Sequence, residues 1–98
     1  MSKENQDIEW KESWRDEYLK WIAAFANTEG GELHIGVNDK GIVVGIDNAE
    51  KLLEDLPNKT RDLLGVIPSI KLDKEGADEY IVITVDAYPF PVSYKGKY

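Results

Sequence analysis

Hydrophobic and polar positions alternate with a period of two in several stretches of the chain and recur at helical spacing in two others. Residues 7–11 (DIEWK) put Ile8 and Trp10 on one side and Glu9 and Lys11 on the other, which predicts a short strand. Ser13 and Asp16 resemble a capping box, and Trp14, Tyr18, Trp21, Ile22 and Phe25 follow at helical spacing. The spacing predicts a helix over 14–26 whose apolar stripe faces a core. Over 32–38, Leu33, Ile35 and Val37 share one face and Glu32, His34 and Gly36 the other, a strand with one buried side. Asn38-Asp39-Lys40-Gly41 reads as a hairpin turn and 42–46 as its returning strand. Asp47 or Asn48 then caps a second helix through Leu52, Leu53 and Leu56. Pro57 is expected to break or kink it, with a further turn over 59–64. Pro68 opens a strand through Ile70 and Leu72, 74–76 turns the chain, and 80–85 (YIVITV), rich in β-branched residues, is the strongest strand.

The expected fold is therefore α+β: a single mixed sheet with two helices, in the order β-α-β-β-α-β-β. Gly30-Gly31, between a helix end and a strand, marks backbone that few other residues tolerate. The tail, 87–98 (AYPFPVSYKGKY), has two X-Pro steps and reads as extended or partly loose.

Composition narrows the function. Ninety-eight residues, 42% of them hydrophobic, suit one domain with one core. No apolar run approaches the roughly 18 residues that span a bilayer, the polar N-terminus is no signal peptide, and cysteine is absent. A cytoplasmic protein without disulfides, thiolate metal sites or a membrane partner is the expectation. The net charge of −7 weighs against tight nucleic-acid binding, although the twelve basic residues can still gather on one face.

Candidate chemistry centres on carboxylates. Glu9 and Lys11 lie two apart on a strand and share a face, an arrangement in which a carboxylate holds a divalent ion and an ammonium stabilises a phosphate. Glu4 lies five residues earlier and Asp39 at the hairpin. Three converging carboxylates would suit Mg²⁺ or Mn²⁺, but among 19 acidic residues some triple can always be selected. His34, the only histidine, reads as a surface residue on the exposed side of its strand. No serine or cysteine nucleophile has a recognisable partner, and neither nucleotide-loop motif, GxxxxGK[ST] nor GxGxxG, is present.

The stretch AAFANTEGGELHIGVNDKGIVVGI, with the preceding Glu9-Trp10-Lys11, the Ile67-Pro68 step and Pro91-Val92, resembles the Schlafen Alba-like domain. The resemblance covers nearly the whole chain and implies an Alba-like α+β sheet. In bacteria and archaea this domain is described as a DNA-binding part of transcriptional regulators, often followed by a winged helix. The family usually continues with a further strand, so residues 1–98 are expected to be one such domain cut from a longer protein. Vertebrate relatives include metal-dependent endoribonucleases with a Glu, Glu, Asp site. The matching positions here are Glu4, Glu9 and Asp39, although Asn5 stands where the family commonly has Ser. By the same resemblance Lys11 contacts phosphate, and a single lobe would need a homodimer or a partner to form a cleft.

Three readings follow. The favoured one is a DNA- or RNA-binding module of a transcriptional regulator, supported if Lys11, Arg15, Lys20 and Lys40 gather on one face. The second is an endoribonuclease holding Mg²⁺ or Mn²⁺ through Glu4, Glu9 and Asp39. The third is an interaction module using Tyr88, Phe90, Tyr94 and Tyr98.

Overall fold

In the computed structural model, which describes residues 7–95, one mixed sheet carries two helices on one of its faces. The elements are β1 (Ile8–Lys11), a 3-10 turn (Asp16–Tyr18), α1 (Leu19–Ala26), β2 (Gly31–Ile35), α2 (Ala49–Leu64), β3 (Ser69–Glu75) and β4 (Asp78–Val85). The strand order is β1-β2-β4-β3, with β1 parallel to β2 and the other neighbours antiparallel. The α+β class expected from the sequence is the one observed. No helix among the described residues is long and apolar enough to cross a membrane.

Register decides which face is core. Leu33 lies opposite Ile83 and Ile35 opposite Ile81, and residues opposite one another share a face. These four and Val85 are buried under Leu19, Ile22, Phe25 and Ala26 of α1 and Leu52 and Leu56 of α2. Burying a side chain of this size contributes about 1.5–3 kcal/mol, so this layer dominates folding. The other sheet face carries Glu32, His34, Val82, Thr84 and Lys71, and no helix of the described residues lies over it.

Three local expectations are corrected. The first helix does not start at Trp14: a 3-10 turn precedes α1 and no side chain caps it. Asp16 is engaged instead by the Trp14 indole, whose Nε1–H donates to Oδ1 at 2.7 Å. Residues 42–46 are not a strand. They contribute one bridge, Val37 to Val43, because Val44 and Gly45 both donate their N–H to the carbonyl of Gly36, which curls the chain instead of extending it. The observed order is thus β-α-β-α-β-β. Pro57 does not end the second helix either, and α2 runs through it to Leu64. Pro57 lies on the exposed side, while Leu52, Leu56 and Thr60 are buried on the other. Packing on both sides of the proline outweighs the one hydrogen bond that it removes.

The turn after α1 is tight. A Cβ on Gly31 would lie 2.5 Å from the Phe25 ring and 2.9 Å from the carbonyl of Asp7, so only glycine fits. Beside it Asn27 holds the tail: its Nδ2–H donates to the carbonyl of Val92 and its Oδ1 accepts the Val92 N–H, each at 2.7 Å. Tyr88 adds its N–H to the Ala26 carbonyl, and its hydroxyl accepts the N–H of Ile67. The segment 87–95 is therefore docked rather than loose.

Asn27→Ala removes both bonds to Val92 and is expected to cost about 2 kcal/mol, at roughly 1 kcal/mol per bond. Urea denaturation checks this, and a loss below about 0.5 kcal/mol would contradict the docking. Asp16, which accepts from Trp14 and pairs with Lys59, has its carboxyl held below the usual range, chiefly by the indole hydrogen bond. A depressed carboxyl stabilises the fold above its unfolded pKa, and that contribution is lost as pH falls through the folded value. Asp16→Asn should therefore reduce the loss of stability on acidification below about pH 4, by less than about 1 kcal/mol because the group is exposed. Parallel acid titrations of the two proteins would show it.

Candidate functional site

β1 and β2 run parallel, so the residues that leave both strands emerge at one end of the sheet. The carbonyl of Lys11 ties the two exits together by accepting the N–H of Gly36 at 2.7 Å and of Val37 at 3.1 Å. The turn that follows is built by Asn38, whose Oδ1 accepts the N–H of Lys40 and of Ile42. Its carbonyl also accepts the N–H of Gly41, where φ is +80°. This Asx-type turn leaves Asp39 and Lys40 exposed at its tip.

Lys11 and Glu9 lie opposite Ile35 and Leu33, on the helix-covered face rather than the open one. There the Lys11 ammonium is 3.3 Å from Glu9 Oε2, 4.9 Å from the centre of the Tyr18 ring and 5.6 Å from that of Trp21. Carboxylate and rings together fix a half-buried cation that would otherwise lose its hydration. Trp14 stacks edge-on against Tyr18, and Asp16 pairs with Lys59 of α2 at 3.0 Å, which holds the 3-10 turn over this end.

The expected residues divide in position and in pairing. Glu9 lies opposite Leu33 in the middle of β2, two residues before β1 ends, and Asp39 lies on the turn beyond β2, whereas Glu4 lies outside the described residues. Among the described residues no group of three or more His, Cys, Asp or Glu is placed to hold a metal ion. Lys11 is engaged as above. Arg15 precedes the 3-10 turn, Lys20 lies in the first turn of α1, and Lys40 is at the turn tip. All three are exposed, and none forms an ion pair among the described residues. Lys51, Lys59, Arg61 and Lys74 are by contrast each paired with a carboxylate.

Sequence spacing read Tyr18 and Trp21 as core alone, yet both rings also flank Lys11. No local pattern signals that contact, since it is made across the β1–α1 connection. His34 stands on the open face, where its Nε2–H donates to Glu32 Oε1 at 2.8 Å. The opposite end of β1 and β2 is acidic. Asp7, Glu29, Glu32 and Asp86 line an open hollow of ≈ 440 Å³ around Gly30-Gly31.

Known proteins share this architecture. The crystal structure of the DIP2311 protein of Corynebacterium diphtheriae matches with a TM-score of 0.75 at 20% identity, over 94% of this chain. The chain spans only 20% of that protein. The solution structure of the N-terminal domain of a candidate ATP-dependent DNA helicase, a RecG-related protein of Nitrosomonas europaea, matches with a TM-score of 0.74. Here identity is 27%, over 95% of this chain and 72% of that domain. The profile of the family described as "Schlafen, AlbA_2" matches residues 4–98, and the chain belongs to that Schlafen AlbA_2 family.

Proposed function

We propose that this domain binds nucleic acid through the end of the sheet where β1 and β2 exit, as a module of a larger DNA-handling or transcription-regulating protein. The observation that carries the reading is that Arg15, Lys20 and Lys40, three of the exposed cations without ion pairs among the described residues, lie on the segments around that end. Phosphate binding draws on such charges, because a cation already matched to a carboxylate releases less on contact with phosphate. The carboxylates gathered around Gly30-Gly31 disfavour approach of a polyanion there, so a net charge of −7 does not oppose binding evenly over the surface. The RecG-related relative supports a link to DNA, and the Schlafen AlbA_2 family agrees with it.

A second reading rests on Glu9, on the helix-covered face of β1, and Asp39, on the turn beyond β2. With Glu4 they would hold Mg²⁺ or Mn²⁺, which would activate water for cleavage of structured RNA. In that role Glu9 must release Lys11, whose ammonium would then be free to meet a phosphate.

Arg15→Glu combined with Lys40→Glu should weaken binding of a short duplex by on the order of tenfold or more, since two phosphate contacts become repulsive. Lys51→Glu, at a paired position on α2, should leave binding nearly unchanged. Fluorescence anisotropy measures both, and equal affinity of the double variant and the unaltered chain would refute the assigned face. End-labelled transfer RNA incubated with Mn²⁺, beside an EDTA control and Asp39→Asn, separates the two readings. Cleavage that requires both the ion and Asp39 would establish the nuclease.

A further inference from the structure

β3 (Ser69–Glu75) is an edge strand whose only sheet neighbour among the described residues is β4, and six of its seven residues are exposed. From its sequence and register we infer that β3 is the edge through which two copies of this chain pair, antiparallel and centred on Leu72, joining their sheets into one. This inference is independent of the nucleic-acid reading.

The direction of the backbone groups sets the possible registers. Gly76-Ala77 is a two-residue turn between Glu75 and Asp78, and residues flanking such a turn form a hydrogen-bonded pair. Glu75, Asp73 and Lys71 therefore direct their N–H and C=O groups to β4, while Ile70, Leu72 and Lys74 direct theirs outward. The Lys74 N–H agrees, since it is taken by the Asp73 carboxylate at 2.9 Å. A second β3 must meet Ile70, Leu72 and Lys74 with its own three outward residues.

Side-chain charge then selects among these registers. Centred on Leu72, the pairing sets Lys71 of each copy opposite Asp73 of the other on the open face. On the helix-covered face Leu72 meets its own mate and Ile70 meets Lys74. Centred on Lys71 or on Asp73, the pairing sets identical charges directly opposite one another. Centred on Lys74, it brings Asp73 against Glu75. Directly opposed charges attract or repel strongly enough to fix a register. Lys71 and Asp73 are also uncommitted: neither forms an ion pair among the described residues, and Asp73 meets only the Lys74 N–H and, at 3.4 Å, the Tyr80 hydroxyl. Leu72, 38% exposed at the sheet margin, gains an apolar partner. On pairing, the Asp73 carboxylate exchanges the Lys74 N–H for the ammonium of Lys71 in the other copy, and that N–H passes to the Ile70 carbonyl of the other copy. The two-fold symmetry closes the assembly at two chains, leaving β1 as the outer edge on each side.

Sedimentation equilibrium of the 98-residue chain tests this. The unaltered chain should dimerise, with an affinity that falls as salt rises. Lys71→Asp and Asp73→Lys each place like charges opposite one another twice, and each should weaken self-association by on the order of tenfold or more. An equimolar mixture of the two variants should recover association as a heterodimer, because opposite charges then face across both pairs. Both positions are exposed, and thermal melts followed by circular dichroism establish that each variant is folded. A monomeric unaltered chain, undiminished self-association of either variant, or a mixture no tighter than its components would overturn the inference.

Discussion

The close approach at Gly31 is the constraint on which the rest of the structure depends. Its backbone lies against the Phe25 ring and the carbonyl of Asp7, so α1, β1 and β2 meet at one point where no side chain fits. Glu32 donates its N–H to Asp7 there, and that bond starts the parallel ladder. The ladder in turn places Glu9 beside Leu33 and Lys11 beside Ile35. A shift of one residue would turn Glu9 and Lys11 to the open face and Trp10 to the helices. The fixed start of β2 therefore decides which side chains meet Tyr18 and Trp21, and where the turn with Asp39 and Lys40 leaves the sheet.

A second tie works at the same turn. Asn27, directly after α1, spends its whole amide on Val92, and Tyr88 bridges Ala26 to Ile67. The segment 87–95 thereby connects the end of α1 to the entry of β3. Three of the pieces that carry the family resemblance, around Asn27, Ile67-Pro68 and Pro91-Val92, are brought together by side-chain and main-chain hydrogen bonds rather than by a reactive centre. They account for how the domain is held. The chemistry proposed for it lies at the exit of β1 and β2, where the remaining pieces, Glu9-Trp10-Lys11 and Gly36-Val37-Asn38-Asp39, are found.

Much of the fold was legible in the sequence because period and composition agree at 80–85, at 32–35 and along the apolar stripe of α1 and α2. What was not legible depends on contacts distant in sequence. The stretch 42–46 has the composition of a strand, but the carbonyl of Gly36 collects two of its N–H groups and leaves one bridge. Pro57 is a helix breaker locally, and is overridden by Leu52, Leu56 and Thr60 packing against the sheet. For the candidate site, the spacing of Glu9 and Lys11 announced a shared face, but only register shows that this face is the helix-covered one. The ion pair between them and the rings beside Lys11 follow from that placement. Nor does sequence alone separate the cations matched by carboxylates from Arg15, Lys20 and Lys40: Lys51 and Arg61 pair with near neighbours, but Lys59 meets Asp16 and Lys74 meets Glu79 only through the fold.

The central claim is that these unmatched cations form a phosphate-binding end on an acidic domain. The salt dependence of binding to a short DNA duplex tests it most directly. With three cations contributing, a plot of log K against log salt should fall with a slope of about −2.7, at roughly −0.9 per phosphate contact. A slope near zero, or no binding at low salt, would contradict the account.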